Sequence, residues 1–225
     1  LTDENVYDRQ LFIRLKPDEG GIEIHIPLEI KTKTHRDYIR EVGLSMGIEH
    51  MITTHEGNVY GEGFGELHRE FVSYMNESAA AYRREKANNA GRKKYLAKKA
   101  RLDARIESYV NHEINRLIEE EKPKILYLPK LPKNSQGGYN KKINYSVGIW
   151  KKGLVRERLR QKCMEHSVEI KEVFGRAISA TCSNCGATGE YNGAGFRCGS
   201  CGYESDKKTN AARNALKRGQ AEETE

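Results

Sequence analysis

At 225 residues and 25.6 kDa, the chain can build one large domain or two modest ones and does not depend on disulfides for a core. A net charge of +7, an isoelectric point near 9.1, a mean hydropathy of −0.79 and 37% hydrophobic residues exclude an acidic or membrane-embedded protein, and no apolar run approaches the ~18 residues of a spanning helix. The N-terminus, Leu1-Thr2-Asp3-Glu4, has neither an initiator Met nor the basic-then-apolar signature of a signal peptide, so the sequence reads as a piece trimmed from a longer, cytoplasmic chain.

Leu11 to Leu15 and Ile22 to Ile26 are predicted to pair as a hairpin across the turn around Pro17 to Gly21. After a polar stretch, Val42 to Met46, His50 to Thr54 and Val59 to Tyr60 read as three short antiparallel strands punctuated by Gly47 and Gly57-Asn58. Residues 66 to 88 and 92 to 121 are expected to be helical, the second with its apolar side chains (Leu102, Ile106, Tyr109, Val110, Ile114, Leu117, Ile118) at i, i+3, i+4 steps. Pro123 stops that helix, Lys124 to Leu128 reads as a buried strand, and a loop runs through Gly138. A helix over 147 to 166, a strand over Val168 to Val173, a cysteine-bearing insert and a last helix from about Lys208 to Arg218 complete an α/β order. Gly61 to Gly65 lacks the spacing of a dinucleotide fingerprint and is assigned to a turn; His50, His55 and His68 show no ligand spacing.

The positive charge is concentrated in two blocks. Residues 83 to 105 hold ten basic side chains against Glu85 and Asp103, and residues 122 to 162 hold twelve against Glu157. Such one-signed blocks point to a polyanion, because Lys and Arg that neutralise phosphates release condensed counterions. The candidate nucleic-acid contacts are Arg83, Arg84, Arg92, Lys93, Lys94, Lys98 and Lys99 in the first block and Lys130, Lys133, Lys141, Lys142, Lys151 and Lys152 in the second. Tyr139, Tyr145 and Trp150 lie within the second block, where rings can stack on bases, although core packing is the first expectation for the lone Trp150.

Cys182-Ser-Asn-Cys185-Gly and Cys198-Gly-Ser-Cys201-Gly form two CxxC knuckles. Two residues between thiolates let each turn aim both sulfurs at one ion, and Gly186 and Gly202 allow the backbone to turn behind it. Four thiolates make a closed, structural zinc site rather than a catalytic one. Cys163 lies outside the pattern and is read as a packed thiol.

Ala180-Thr-Cys-Ser-Asn-Cys-Gly186, Phe196-Arg-Cys-Gly-Ser-Cys-Gly202 and Asn210-Ala-Ala-Arg-Asn214 together resemble the RuvC and zinc-ribbon region of the transposon-encoded RNA-guided protein TnpB and of the type V CRISPR effectors. The resemblance runs from about residue 41 to 218. It implies an RNase H-like (RuvC) mixed sheet with helices on both faces and an inserted zinc ribbon, preceded by a β-hairpin from a wedge-type domain. The implied boundaries are 1–40 for the end of the wedge-like domain, 41–176 for the first RuvC-like part, 177–204 for the ribbon, 205–218 for the final helix and 219–225 for a disordered tail.

Nucleases of that family hold two divalent ions with three carboxylates. The first-strand motif, usually VGIDLG, reads Val42-Gly-Leu-Ser-Met-Gly47 here, with Ser45 in the aspartate position; Pro129 stands in the glutamate position and Lys208 in the second aspartate position. Glu41, Glu49, Glu172 and Asp206 are the acids near enough in sequence to substitute, Asp206 being the best placed. The resemblance therefore implies a nuclease-dead member with no catalytic Mg²⁺, with guide RNA and double-stranded target DNA as partners. It would repress transcription at guide-matched sites in the nucleoid or recruit transcription or transposition machinery there. The alternatives are an RNA-guided endonuclease using displaced carboxylates, and a basic zinc-ribbon protein that binds nucleic acid without a guide.

Overall fold

One strand with two different faces organises the chain. In the computed structural model, β3 (Arg40–Met46) buries Val42, Leu44 and Met46 in the main core. By strand alternation, Gly43, Ser45 and the following Gly47 turn to the opposite face. There helix α5 (Lys207–Glu222) crosses so closely that a Cβ on Gly43 would overlap the Ala212 carbonyl oxygen. The structure describes residues 10–16, 21–26, 32–84, 90–130 and 141–222, with side chains over the same spans except 79–84, 90–92, 141–144 and 222.

The main sheet has the order β5 (Val59–Tyr60), β4 (Ile52–Thr54), β3, β6 (Pro123–Pro129), β7 (Glu169–Val173). Strands β3, β4 and β5 pair antiparallel, with Ser45 opposite Thr53, whereas β3–β6 and β6–β7 are parallel, with Gly43 opposite Tyr127 and Leu128 opposite Glu172. The parallel step from β3 to β6 is bridged by α1 (Phe64–Arg84) and α2 (Ala90–Glu121). The apolar stripe of α2, from Leu102 to Ile118, joins the β3 side chains in one core together with Val155, Leu159 and Cys163 of α4 (Lys152–Glu165). Behind the sheet, Ala211 and Ala215 of α5 pack on Ile125, Tyr127 and Val173. This is the expected RNase H-like mixed sheet with helices on both faces.

Two buried carboxylates fix the edge of the sheet. Glu121, 1% exposed, accepts from Arg40, Asn58 and Tyr60, and Glu113 accepts from the Gly61 backbone N–H at 2.7 Å. Gly61, at φ +81°, makes the turn assigned to it.

Three expectations need correction. The helix over 147 to 166 is two helices, α3 (Lys141–Gly148) and α4, because Trp150 turns into the core and Lys151 leaves helical register to reach Asp103 at 2.6 Å. The second strand begins at Ile52 rather than His50. The tail assigned to disorder from residue 219 is helical through Glu222, because Gly219 lies flat on the Tyr127 ring and Gln220 donates to Glu41 at 2.8 Å.

At the N-terminal end, β1 (Phe12–Lys16) and β2 (Gly21–His25) form the expected antiparallel hairpin. Its cross-strand pairs Ile13–Ile24 and Leu15–Ile22 place four exposed aliphatic side chains on one face.

Candidate metal centre and nucleic-acid interface

The metal centre follows from two identical turns. In each knuckle the first cysteine's carbonyl accepts from the glycine four residues on, and its N–H donates to the residue five on: Gly186 N–H to Cys182, Cys182 N–H to Ala187, Gly202 N–H to Cys198, Cys198 N–H to Tyr203, all at 2.7–2.9 Å. Gly186 and Gly202 hold φ of +80° and +70°, which L side chains rarely adopt. The sulfurs of Cys182 and Cys201 stand 3.7 Å apart, those of Cys185 and Cys198 3.6 Å apart, and all four ligand atoms lie within 4.8 Å of one another. A tetrahedral ion with ~2.3 Å metal–sulfur bonds has edges of ~3.8 Å, so the set fits a single ion. Strands β8 (Glu190–Asn192), β9 (Gly195–Arg197) and β10 (Glu204–Asp206) flank it as a small antiparallel sheet, and Phe196 supplies its apolar backing.

The asparagines of the Asn210-Ala-Ala-Arg-Asn214 motif fasten this unit to α5. Asn210, fully buried, accepts from the Ser183 N–H at 2.9 Å and donates to the carbonyls of Ser179 and Thr181. One turn later Asn214 donates to the carbonyls of Ile178 and Thr181, and Arg213 donates to the His55 carbonyl and the Tyr203 hydroxyl. Sequence reasoning singled out the motif but not this clasp.

Ser45, Pro129 and Lys208, the positions that the family resemblance marks, lie at the C-terminal ends of the central strands. Ser45 and Pro129 each lie two residues past the Gly43–Tyr127 pair on adjacent parallel strands. Lys208, in the first turn of α5, extends its ammonium to the Met46 carbonyl at 2.7 Å, through space that a Cβ on Gly47 would invade at 2.9 Å. Burial lowers the Lys208 pKa, and neighbouring Lys207 acts in the same direction.

The nearby acids are engaged elsewhere. Glu41 accepts from Tyr127 and Gln220, and Glu49 pairs with Arg69 at 2.6 Å. Glu172 is bound by both Arg156 and Arg160; burial opposes ionisation, but the two guanidiniums prevail and hold its carboxyl below the ordinary range. Arg156 also donates to the Pro129 carbonyl. Asp206 caps α5, its Oδ1 accepting from the N–H groups of Lys208 and Thr209 at 2.8 and 3.0 Å. Among the described residues, the four cysteines are the one group of three or more His, Cys, Asp or Glu side chains close enough to hold an ion.

The basic side chains divide into two sets. Lys93, Lys94, Lys98 and Lys130 are exposed, with Lys98 over the Tyr74 ring at 4.5 Å. Lys99 and Lys151 instead share Asp103, at 2.7 and 2.6 Å, and Lys151 also lies over the Phe71 ring. Lys152 is half-buried at the start of α4. The side chains of Arg83, Arg84, Arg92, Lys141 and Lys142, and the whole of Lys133 and Tyr139, fall outside the described residues. Tyr145 is half-buried, and Trp150 packs against the main core, as does Cys163. His68 stacks on Phe64 and bonds Ser146, a packing role.

Residues 153–215, from α4 through the cysteines into α5, match the family model described as Cas12f1-like, TNB domain. A TnpB-like protein of Aquifex aeolicus (strain VF5) is 27% identical over 177 residues, covering 71% of this chain and 57% of that protein. The fold matches a cryo-EM structure of a Cas12f1–sgRNA–target DNA complex with a TM-score of 0.57 at 16% identity, over 87% of this chain and 41% of that one. It also matches a CRISPR-Cas12f ternary complex with a TM-score of 0.54 at 17% identity, over 92% and 44%. The chain thus spans about half the length of the proteins it resembles. Its sequence resembles TnpB and the type V effectors, and its fold is that of their RuvC-containing region.

Proposed function

We propose that this chain is the RuvC-like and ribbon portion of an RNA-guided DNA-binding protein that holds guide-matched sites without cutting them. The reading rests on one contact above all: the Lys208 ammonium on the Met46 carbonyl, at a position where the family carries a metal-binding carboxylate. Two divalent ions need compensating anions, and the three family positions offer a hydroxyl, a proline and a cation. The commitment of Glu41, Glu49, Glu172 and Asp206 to other partners supports the same reading. Guide pairing would choose the sequence, while exposed lysines such as Lys93 and Lys94 hold the backbone. A protein held on DNA obstructs polymerase, which makes repression the expected outcome, with recruitment of transcription or transposition machinery as the variant.

The cysteine set is assigned to structural Zn²⁺, which a closed tetrahedral S4 site favours. Bound there, the ion would tie the two knuckles together and hold the ribbon against α5.

The test is to sequence the RNA that copurifies with the full-length protein and then footprint guide-matched duplex DNA in Mg²⁺. One defined structured RNA and an intact, protected site are expected. A broad cellular RNA mixture would overturn guidance, and guide-dependent cleavage would overturn inertness.

A further inference from the structure

The approach to β3, residues 32–39, is mostly exposed, with His35 and Tyr38 half-buried. Its backbone is tied to α4 where the Lys33 N–H donates to the Glu165 carbonyl at 2.7 Å, and its Asp37 pairs with Lys122, just past α2, at 2.6 Å. Between these ties, Tyr38 stacks on the His35 ring with centroids 4.0 Å and planes 11° apart. His35 Nε2 meets Nδ1 of His166, the C-cap residue of α4, at 3.1 Å. The two imidazole planes differ by 9°, with centroids 5.1 Å apart. The Tyr38–His166 distance of 6.3 Å is close to the hypotenuse of the other two, so His166 lies beside His35 in one layer and Tyr38 covers His35 from above. Two imidazoles set edge to edge in one plane share an N–H···N hydrogen bond.

That bond tolerates only some protonation states. A neutral imidazole has one donor and one acceptor nitrogen, whereas an imidazolium has two donors. The pair therefore closes with both rings neutral or with one charged, but two imidazolium rings set N–H against N–H and charge against charge. The surroundings resist the second charge. Burial, then Lys33 and His35, lower the His166 pKa; Lys162 adds to this, and Glu165, itself paired with Lys162 at 2.7 Å, opposes it only in part. On the other side, the hydrogen bond from Lys122 holds the Asp37 carboxyl below its ordinary value, so this neighbour of His35 keeps its charge throughout the imidazole range. Glu119 of α2 faces Tyr38.

We propose that His35 and His166 form a proton-gated clasp, which holds residues 33–38 against the end of α4 while at least one ring is neutral and releases them when both are protonated. The released segment takes up its second proton near the ordinary imidazole value of ~6.5, and the closed one only at lower pH. The clasp thus weakens as pH falls below that value and levels off below the lowered one. Residues 33–38 lie between the N-terminal hairpin and β3 in the chain, so the clasp sets how firmly the connection from hairpin to sheet is anchored.

The test follows backbone amide hydrogen exchange by NMR in the zinc-loaded 225-residue chain, from about pH 7.5 to about pH 5.5, each rate being divided by the intrinsic rate at that pH. Protection of the Lys33 amide should fall about fivefold, the worth of one hydrogen bond. The Val168 amide, bonded to the Cys163 carbonyl at 2.8 Å beyond the same helix end, should keep its protection, which separates local release from global unfolding. His166→Phe retains a ring but neither nitrogen, and in it the pH dependence at Lys33 should disappear. Constant Lys33 protection in the parent, an equal fall at Val168, or a fall that persists in His166→Phe overturns the proposal. If His166→Phe does not fold, the imidazole resonances of the parent decide: two coupled steps, the second displaced to lower pH, support the clasp, and two independent steps at the ordinary value overturn it.

Discussion

Asn210 of α5 accepts a hydrogen bond from the backbone N–H of Ser183, inside the first metal knuckle, at 2.9 Å. The same side chain donates to the Ser179 and Thr181 carbonyls, so one buried amide serves three ribbon backbone groups. Asn210→Ala would remove this partner from the Ser183 N–H and the Ser179 carbonyl, while Thr181 keeps its bond from Asn214, and the expected cost is about 3 kcal/mol, since each buried orphan costs about 1–3 kcal/mol. Thermal unfolding should show this loss. The cysteine sulfurs are not touched by the substitution, so elemental analysis of the folded variant should still find one zinc per chain. Cys198→Ser should reverse the pattern, losing the zinc and, with it, resistance of the ribbon to proteolysis.

How far the sequence discloses the site depends on whether the informative chemistry is local. The CxxC knuckles are local, because each turn is closed by hydrogen bonds within six residues, and they are legible without any structure. The alternation Val42, Leu44, Met46 also reads directly as a buried face. By contrast, Lys208 and Met46 meet across 162 residues, and nothing in a Lys-Lys-Thr-Asn run says that one lysine is buried. Only the family resemblance marks the position. Likewise Asp103 looks like a stray acid in a basic block, yet it gathers Lys99 from its own helix and Lys151 from the break before α4. That ion pair is also what the periodicity of residues 147 to 166 could not reveal.

The basic block should therefore behave as two populations. Lys93→Gln with Lys94→Gln should reduce the salt slope of nucleic-acid binding by ~0.7–0.9 for each phosphate no longer neutralised, while leaving the melting temperature nearly unchanged. Lys99→Met and Lys151→Met should do the opposite, since both ammoniums are spent on Asp103. Burial opposes ionisation of Asp103, but hydrogen bonds from Lys151 and Lys99 outweigh it and hold the carboxyl below its ordinary value. A carboxyl lowered in the folded state contributes stability that is fully present above the unfolded pKa and is lost as pH falls through the folded one. Asp103→Asn should thus be less stable than the parent at pH 7, with the difference vanishing in strong acid. Equal stability at pH 7 would show that the clasp contributes nothing.

Lys208 carries the opposite sign of pH dependence. Burial, with a smaller push from Lys207, lowers its pKa, and Asp206 opposes only weakly. The folded chain then binds this proton less readily than the unfolded chain, whose value is about 10.4. Stability rises with pH between the lowered and the unfolded values, and below that window the full cost of holding the charge remains. Lys208→Met removes the cost, so it should be more stable than the parent at pH 7 by ~1 kcal/mol, the lower end of what hydrophobic replacement of buried charge gives. The advantage should shrink by about pH 10, near the unfolded value. Denaturant midpoints of both proteins at the two pH values measure it, and a less stable Lys208→Met would mean that the hydrogen bond to Met46 outweighs the burial.

The sharpest expectation concerns Asp206, the acid best placed in sequence to rescue a metal site. Its Oδ1 caps α5 by accepting from the Lys208 and Thr209 N–H groups, which leaves it facing the helix terminus. Asp206→Ala should accordingly lower stability by ~1 kcal/mol, the usual cost of a lost N-cap, and Asp206→Asn should recover most of it because an amide oxygen can serve the same N–H groups. Neither change should create or abolish strand scission: the full-length protein with its own guide is expected to protect matched DNA without nicking either strand in Mg²⁺ or Mn²⁺. The argument is electrostatic, because at the ends of β3 and β6 the chain places Ser45, Pro129 and the Lys208 ammonium where two cations would need anions. Guide-dependent cleavage that is present in the parent and absent in both Asp206→Ala and Asp206→Asn would assign the cap a second role as a metal ligand. It would also replace the inert reading with that of an endonuclease using displaced carboxylates.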